Sequence, residues 1–343
     1  MTQDLFSQQE ANRRRARWLV VLFVGFFLWL GLGGDVIAYL ATRDLPPREY
    51  HHAFPLMGIV MFVVGMGLVA YIRKTGAEKV LWSTGARRLE TATTPGERML
   101  ENVVDEMAIA SGLPRPTLWI VDDPDPNAFA TGTDPLKAHI AVTTGLLEAV
   151  NRDELQGVIG HEMGHVKNLD MQLMTMVAGL VGAVALMSDG MGRMLRFQTV
   201  GGRGGSGGRG RGRSNNLGPL LAVLLILWIV SWILAPIITR LMAVGISRSR
   251  EYLADAMSAQ FTRNPLALAS ALEKIEHSAS PTTAIKGGVA HLCIADPLGR
   301  RLTSRQGFVA DLLATHPPMQ MRISRLKAMG YQDQKAAGNF QPG

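Results

Sequence analysis

Two histidines and a glutamate stand in a pattern that suits a divalent metal ion. They are His161, Glu162 and His165, in the run GHEMGH at 160–165. On a helix of 3.6 residues per turn the two histidines share a face, so both imidazoles can reach one zinc ion at about 2.0–2.1 Å. Glu162 leaves the helix beside His161 and can take a proton from a water molecule at the metal. The pattern predicts one catalytic zinc ion per chain.

The alternative interpretation is a polar helix face that carries two histidines by chance. The residues around the motif argue against it. Val158 and Ile159 precede it and an apolar block begins at Met171. Unpaired histidines and a glutamate beside a core and a membrane would be costly, so we expect these polar groups to have partners.

A catalytic zinc ion takes three protein ligands and keeps one position open, so a third ligand should come from elsewhere in the chain. The candidates are Glu251, Asp255, His277, His291 and His316. Glu251 and Asp255 are four apart on a predicted helix; one can bind zinc while the other accepts a hydrogen bond from a ligand imidazole. A solvated acid pair is the alternative. Ligation is favoured because a helical hairpin would return the chain to the side on which His165 lies.

Peptide hydrolysis would need further groups around the metal. The tetrahedral oxyanion needs a donor besides zinc, and His316, Tyr252 and Arg322 are the candidates; His316 in THPP at 315–318 is equally suited to capping the final helix. Metalloproteases commonly bind substrate as a strand added to a sheet edge. A predicted strand at Asn127, Ala128 and Phe129 is a candidate edge, with an ordinary buried hairpin as the alternative.

Four apolar blocks predict an α-helical integral membrane protein. Hydrophobic residues make up 47% of the 343 residues, concentrated at 18–40, 54–72, 171–187 and 217–245. The first two are near the ~20 residues that a membrane-spanning helix needs. The first is too long for the apolar part of a cleaved signal peptide, and no small-residue cleavage site follows it. The third is short for a span.

The charges orient the predicted spans. The net charge is +7, and basic residues before the first block and after the second outnumber Arg43 and Arg48 between them, which predicts that the N-terminus and the segment after Ile72 are cytoplasmic. A Gly/Arg-rich loop at 190–216 is expected to be flexible. It resembles RNA-binding RGG segments, but it has no interleaved aromatics, and we expect no nucleic-acid partner. The single cysteine, Cys293, excludes an internal disulfide and sits in an apolar run typical of a buried, inert thiol.

These blocks divide the chain into a basic N-terminus at 1–17, a transmembrane hairpin at 18–72, a first protease segment at 73–170, a second hairpin at 171–246 and a second protease segment at 247–343. If both helices of the second hairpin span, its basic loop lies outside, against the charge rule; a re-entrant hairpin is the alternative.

Turn signals and apolar periodicity predict the following elements: helices at 96–110, 251–260, 265–275 and 318–329, strands at 117–121, 128–130 and 139–143, and a helix through His161 and His165 capped by Asn151 and Glu154.

The motifs together resemble the HtpX family of bacterial membrane metalloproteases, which is related to the CAAX prenyl proteases. The resemblance is carried by NAFATG at 127–132, TTGLL at 143–147, DEL at 153–155, the HExxH motif through Asp170, SRSREYLAD at 247–255, and THPP followed by Arg322 and Ile323. It implies a mainly α (α+β) gluzincin protease domain with a small sheet. It also implies four hydrophobic segments in the inner membrane, a cytoplasmic active site and misfolded membrane proteins as substrates.

For individual residues the resemblance implies Glu251 as the third ligand, Asp255 as the group behind a ligand, and the segment from Asn127 to Phe129 near the substrate. The Gly/Arg-rich loop is unlike the family. Two other functions compete with a protease: a non-catalytic scaffold with a structural zinc site, and a metal transporter. A transporter would carry acids and histidines in mid-block, where this chain has almost none. Nothing in the sequence indicates an oligomeric state.

Overall fold

The computed structural model describes residues 5–42, 54–182, 226, 228–231, 249–278, 282–285, 289–295 and 317–336. The predicted loop at 190–216, most of the block at 217–245 and His316 lie outside these residues. The chain divides into two compact units. One comprises Met1–Ala16, Arg73–Gly179 and Leu241–Gly343, and the other Arg17–Ile72 and Leu180–Arg240.

The first two apolar blocks are helical, as predicted. Helix α1 covers Leu5–Thr42 and α2 covers Leu56–Ser83. The segment Gln9–Leu40 and all of α2 are long and apolar enough to cross a membrane. Asp35 is buried near the end of the first block, where its carboxylate accepts hydrogen bonds from the backbone N–H of Met57 and Gly58 at 3.1 and 2.7 Å. It therefore satisfies donors that the start of α2 leaves without helical partners.

A four-stranded mixed sheet forms the β part of the protease unit. The strands are β1 at Arg87–Arg88, β2 at Thr117–Val121, β3 at Ala128–Thr131 and β4 at His139–Thr143, in the order β1-β2-β4-β3. β2 and β4 are parallel, and β3 pairs antiparallel to β4 with Ala128 opposite Val142. The three predicted strands are confirmed, and β3 lies at one end of the sheet order.

Helices accompany this sheet, and several of them begin at a capping side chain. They are α3 at Pro95–Ser111, α4 at Thr144–Ala149, α5 at Arg152–Lys167, α6 at Ser249–Thr262, α7 at Pro265–His277 and α8 at Met319–Ala336. The predicted capping box at Asn151 and Glu154 is present, and Thr94 and Glu97 form a second one at the start of α3. Each box satisfies backbone donors at a helix start, so the first turn of α5 is held in place ahead of its histidines.

The core of the protease unit lies among the sheet and helices α3, α5, α7 and α8. Its fully buried members include Leu100, Ile140, Val158, Leu272 and Leu326. Helix α5 packs against α3, α6 and α7, so it is held on several sides by other elements. A helix enclosed in this way gives its polar side chains little freedom to move.

The start of the third apolar block belongs to this unit as well. Residues 170–182 are helical, and the unit extends to Gly179. Met171, Met174 and Val177 are buried. The first turns of this block therefore bury apolar side chains within the protein.

Candidate metal centre

Three glycines let α5 lie close to its neighbours. Gly157, Gly160 and Gly164 share one face of the helix. A Cβ at Gly157 would lie 2.9 Å from the Leu268 backbone of α7, and one at Gly164 would lie 3.2 Å from the Cα of Ala254 on α6. Small residues allow such close approach of two helix backbones. This brings α6, which carries Glu251, next to the helix that carries the histidines.

The predicted ligand atoms converge on one point. The Nε2 atoms of His161 and His165 are 3.1 Å apart. Glu251 Oε2 lies 3.7 Å from His161 Nε2, and Glu251 Oε1 lies 3.5 Å from His165 Nε2. All three side chains are buried, with exposed fractions of 0%, 5% and 3% in chain order. Of the acids considered for the third ligand, Glu251 is the one that lies near the Nε2 atoms of both imidazoles.

These spacings fit a tetrahedral metal ion. Two donors at about 2.0–2.1 Å from zinc, separated by the tetrahedral angle, lie about 3.3 Å apart. The observed separations of 3.1, 3.5 and 3.7 Å bracket that value. Two imidazoles and a carboxylate are also a donor set that suits zinc. Within the described part of the chain, His161, His165 and Glu251 form the group that could hold a metal ion.

Behind the first imidazole stands an ion pair. The Nδ1 atom of His161 lies 2.9 Å from Asp255 Oδ1. Arg322 donates from Nε and Nη2 to the two oxygens of Asp255, at 2.9 and 2.7 Å, and from Nη1 to the Ile294 carbonyl at 2.8 Å. Burial raises the pKa of Asp255, but Arg322 and His161 outweigh it and leave that pKa below its ordinary value. An ionised Asp255 accepts the Nδ1 proton of His161 and leaves Nε2 with its lone pair toward the metal position.

The second imidazole has its own carboxylate, which the predicted site did not include. Asp170 Oδ2 lies 3.2 Å from His165 Nδ1, and Asp170 is fully buried. The five-residue spacing does not place the two on one helix face. They meet because α5 ends at Lys167 and Leu169 takes a left-handed conformation with φ of 61°. A branched side chain rarely adopts that conformation, and neither composition nor periodicity signals it. The only signal was the end of the family resemblance at Asp170.

In the metal-free protein, the surroundings shift the pKa values of the two imidazoles in opposite directions. Desolvation and the Arg322 charge lower the pKa of His161 to about 4, although the hydrogen bond that His161 donates to Asp255 acts to raise it. Desolvation also acts to lower the pKa of His165, but the hydrogen bond to Asp170 and the charge of Glu251 raise it to about 9. A metal ion binds neutral imidazole, so its binding must displace the proton from His165.

Glu162 is the unpaired group of the cluster. It is fully buried, and neither carboxylate oxygen accepts a hydrogen bond of normal geometry from the described residues. Burial raises its pKa to about 7, although His165 and the nearby Ala130 amide act to lower it. A buried carboxyl without partners is rare, and such groups commonly mark a functional role. Its pKa near neutrality lets it both accept and release a proton there.

The predicted substrate strand lies beside this cluster, and part of its outer edge is already paired. The Ile294 N–H donates to the Ala128 carbonyl at 2.9 Å, and Phe129 forms an antiparallel bridge with Cys293. The Asn127 side chain donates to the Ala295 carbonyl at 2.9 Å. Asn127 therefore holds the segment 289–295 against β3, and Cys293 is buried, as expected.

The remaining candidates that the structure describes lie outside the ligand group. The Arg325 guanidinium lies over the Tyr252 ring, with its Cζ atom 3.8 Å from the ring centre. His291 Nε2 lies 3.3 Å from the Met174 carbonyl, and the exposed His277 bonds the Glu273 carbonyl. His291 and His277 are thus not brought to the metal position. His316 lies just before the described residues that lead into α8.

Comparison with known proteins finds a matching family model and similar relatives. The family model described as peptidase family M48 matches residues 96–330. A protease HtpX homolog of Tropheryma whipplei strain Twist is 44% identical over 320 residues, 93% of this chain and 97% of that protein. The homolog of Caldanaerobacter subterraneus subsp. tengcongensis is 37% identical over 333 residues, 95% and 98% of the two chains.

Among solved structures, the chain is similar to Ste24p of S. mikatae, with a TM-score of 0.42 and 18% identity, over 90% of this chain and 66% of that one. The family model spans well over half of the chain, and the HtpX homologs match it nearly end to end. The chain belongs to peptidase family M48, among the HtpX proteases.

Proposed function

We propose that this membrane-associated protease is a zinc-dependent endopeptidase whose metal is held by His161, His165 and Glu251. The observation that carries the proposal is the 3.1–3.7 Å spacing between ligand atoms of three buried side chains, next to a Glu162 carboxyl without a hydrogen-bond partner among the described residues. A structural zinc site closes with four protein ligands. The described residues bring three together, which favours a catalytic centre over the alternative of a scaffold with structural zinc.

Bound zinc would polarise the scissile carbonyl and make a water molecule more acidic. Glu162 then takes the proton from the attacking water and delivers it to the leaving amine. Asp255 and Asp170 keep the Nδ1 protons on the two imidazoles, so that both Nε2 atoms remain ligands. The three nitrogen atoms of Arg322 contact Asp255 and the Ile294 carbonyl, and Nη1 also lies 3.3 Å from Glu251 Oε2, which favours a positioning role for this arginine. His316 and Tyr252 stay candidates for the oxyanion donor.

The substrate class follows from the sheet edge. A peptide lying along β3 would form main-chain hydrogen bonds that do not depend on its side chains. Ala130 links this edge to the chemistry, because its backbone amide lies near the Glu162 carboxyl. The pairing of Ala128 with Ile294 bounds the peptide on that side. Such a site suits extended, unfolded polypeptide segments.

The two apolar helices and the basic flanks support a multi-pass protein of the bacterial inner membrane with its active site in the cytoplasm. Extended segments of misfolded membrane proteins would then be the substrates, and lipid the surroundings of the spans. The names of the relatives favour a protease, and the family resemblance of the sequence motifs is the support for a role in quality control.

Detergent-purified full-length protein tests the proposal through its metal content and its cleavage of an unfolded substrate. Glu162→Gln should keep one zinc ion per chain and lose cleavage by at least about 100-fold, since the proton acceptor is gone. Glu251→Ala should lose both metal and cleavage. Glu148→Gln, on exposed α4 surface, is the matched control and should behave like wild type. Wild-type cleavage by Glu162→Gln would refute the mechanism; zinc without any wild-type cleavage would favour the scaffold.

A further inference from the structure

The N-terminal part of α1 reaches the metal centre through one side chain. Asn12 is 2% exposed, and its Nδ2 atom donates to Asp170 Oδ1 at 2.8 Å and to the Asn168 carbonyl at 2.9 Å. Asp170 is the carboxylate whose other oxygen lies 3.2 Å from His165 Nδ1. A chain of two hydrogen bonds thus runs from the N-terminal segment to a metal ligand.

The orientation of the Asn12 amide is settled by its neighbours. The two atoms within hydrogen-bond distance of Nδ2 are both acceptors, a carboxylate oxygen and a carbonyl oxygen. In the flipped amide, Oδ1 would take the place of Nδ2 and would lie against these two oxygens without a proton between them. The Oδ1 atom of Asn12 is buried without a hydrogen-bond partner among the described residues. Burying an unsatisfied carbonyl has a cost. A leucine of similar size would avoid that cost, so packing alone does not explain an asparagine here.

The carboxylate that Asn12 contacts has few other constraints. A terminal aspartate torsion has a broad energy profile, so the plane of the Asp170 carboxylate depends on its hydrogen bonds. On the Oδ1 side Arg250 Nη1 is 3.4 Å away, whereas Asn12 Nδ2 is at 2.8 Å. Asp255, the equivalent carboxylate behind His161, is held instead by two short bonds from Arg322. Asn12 therefore supplies for Asp170 the short bond that Arg322 supplies for Asp255.

We propose that Asn12 is a positioning residue of the metal centre, which orients Asp170 and through it the His165 imidazole. The segment that precedes the first predicted span is then part of the metal site. The inference rests on the proposed zinc-binding function. It adds Asn12, which would act on the metal centre through Asp170 and would contact neither the metal nor the substrate.

The test measures zinc release from the full-length protein to a chromophoric chelator, together with the visible spectrum of the cobalt(II)-substituted protein. Asn12→Leu keeps the volume and removes both donors. Partners beyond the ligands typically change metal affinity about 10–100-fold; since Asn12 is one bond further away, we expect zinc release to be about fivefold faster, with altered cobalt bands. Gln9→Leu is the matched control, because Gln9 donates from the same helix to the Lys167 carbonyl at 2.7 Å without touching Asp170. It should release zinc at the wild-type rate.

A second background separates positioning from general docking of the helix. In Asp170→Asn protein the group through which Asn12 acts is altered, so adding Asn12→Leu should no longer accelerate zinc release. Double-mutant cycles of this kind report coupling between contacting residues. If Asn12→Leu fails to fold, Asn12→Asp decides: it is the same size but presents an acceptor to Asp170, and should also release zinc faster.

The outcomes distinguish the two proposals. Wild-type protein that cannot hold zinc refutes the proposed function. Wild type that holds zinc, with Asn12→Leu and Asn12→Asp releasing it at the wild-type rate, overturns the inference alone. Equal acceleration by Gln9→Leu, or undiminished acceleration in the Asp170→Asn background, would overturn it as well, because the effect would then come from helix docking.

Discussion

Replacing Arg322 tests whether it positions the site or acts on substrate. Its side chain is 1% exposed and donates to both oxygens of Asp255 and to the Ile294 carbonyl, and its Nη1 lies 3.3 Å from Glu251 Oε2. Arg322→Leu leaves two buried carboxylates without their cation. Arg322→Lys is the matched variant, because it keeps the charge and loses the planar fork that binds a carboxylate at two points.

The magnitude follows from the buried pair. Removing one partner of a buried ion pair costs about 3–5 kcal/mol, because the other charge stays buried. For a unit of this size 1 kcal/mol corresponds to about 2–4 °C in Tm, so metal-free Arg322→Leu should melt about 10 °C below metal-free wild type. Arg322→Lys loses hydrogen bonds but no charge, and a fall of about 3–6 °C is expected.

The assay is thermal unfolding of zinc-stripped, full-length protein in detergent, with cleavage measured after zinc is restored. Asp255→Asn combined with Arg322→Met should be less destabilised than Arg322→Leu, because no charge is then left without its partner. A positioning role therefore predicts a large stability effect in the absence of substrate. If metal-free Arg322→Leu melts within 2 °C of wild type, about the shift of 1 kcal/mol or less, while cleavage is lost, the positioning role is wrong and a direct role on substrate is favoured.

Two further changes test the elements that support the site. The Thr93 backbone amide, Arg87 and other donors lower the pKa of Glu97 from 4.5 to about 2, so the stabilisation that ionised Glu97 provides is complete above pH 4.5 and is lost as the pH falls toward 2. Glu97→Gln should therefore lower the free energy of unfolding by about 1–2 kcal/mol at pH 7. Denaturant unfolding should show a smaller difference between variant and wild type at pH 3 than at pH 7, and an equal difference at both pH values would contradict this assignment. Gly164→Val should push Ala254 and α6 away from α5 and weaken zinc binding about tenfold in a competition titration. Gly157→Ala is the control, because its new Cβ contacts α7 instead, and it should lower Tm while zinc affinity stays near the wild-type value. Equal effects of the two variants on zinc affinity would show that helix spacing at Gly164 is not what aligns Glu251.

Local patterns predicted most elements of the protease unit. The short apolar runs at 117–121 and 139–143 and the cap at Asn151 depend on neighbours along the chain, and β2, β4 and α5 are found at those positions. Helical spacing likewise placed the imidazoles of His161 and His165 on one face. Such features are visible without a fold because their periods are set by backbone geometry.

Contacts between distant segments were not predictable in the same way. The pairing of Ile294 with Ala128 closes part of an edge that the sequence left available to substrate. The hydrogen bonds from Arg322 to Asp255 favour a role in positioning the metal centre over contact with substrate. From the sequence alone, Arg322 is only a candidate oxyanion donor. In each case the partner lies many residues away, and residue type alone does not say which of several acceptors a donor will meet.

The sequence alone was enough to predict a metal site, because two imidazoles and a glutamate at fixed helical spacing have few other uses, and to predict the apolar helices, because of their length. The tertiary structure decided which acid faces both imidazoles, through glycines that let α6 approach α5. It also decided which carboxylate stands behind His165, through a left-handed turn at Leu169 that brings Asp170 back to the helix it follows. The physical reason is that hydrogen-bond geometry depends on distances of a few ångströms between segments, and those distances exist only after the core has packed.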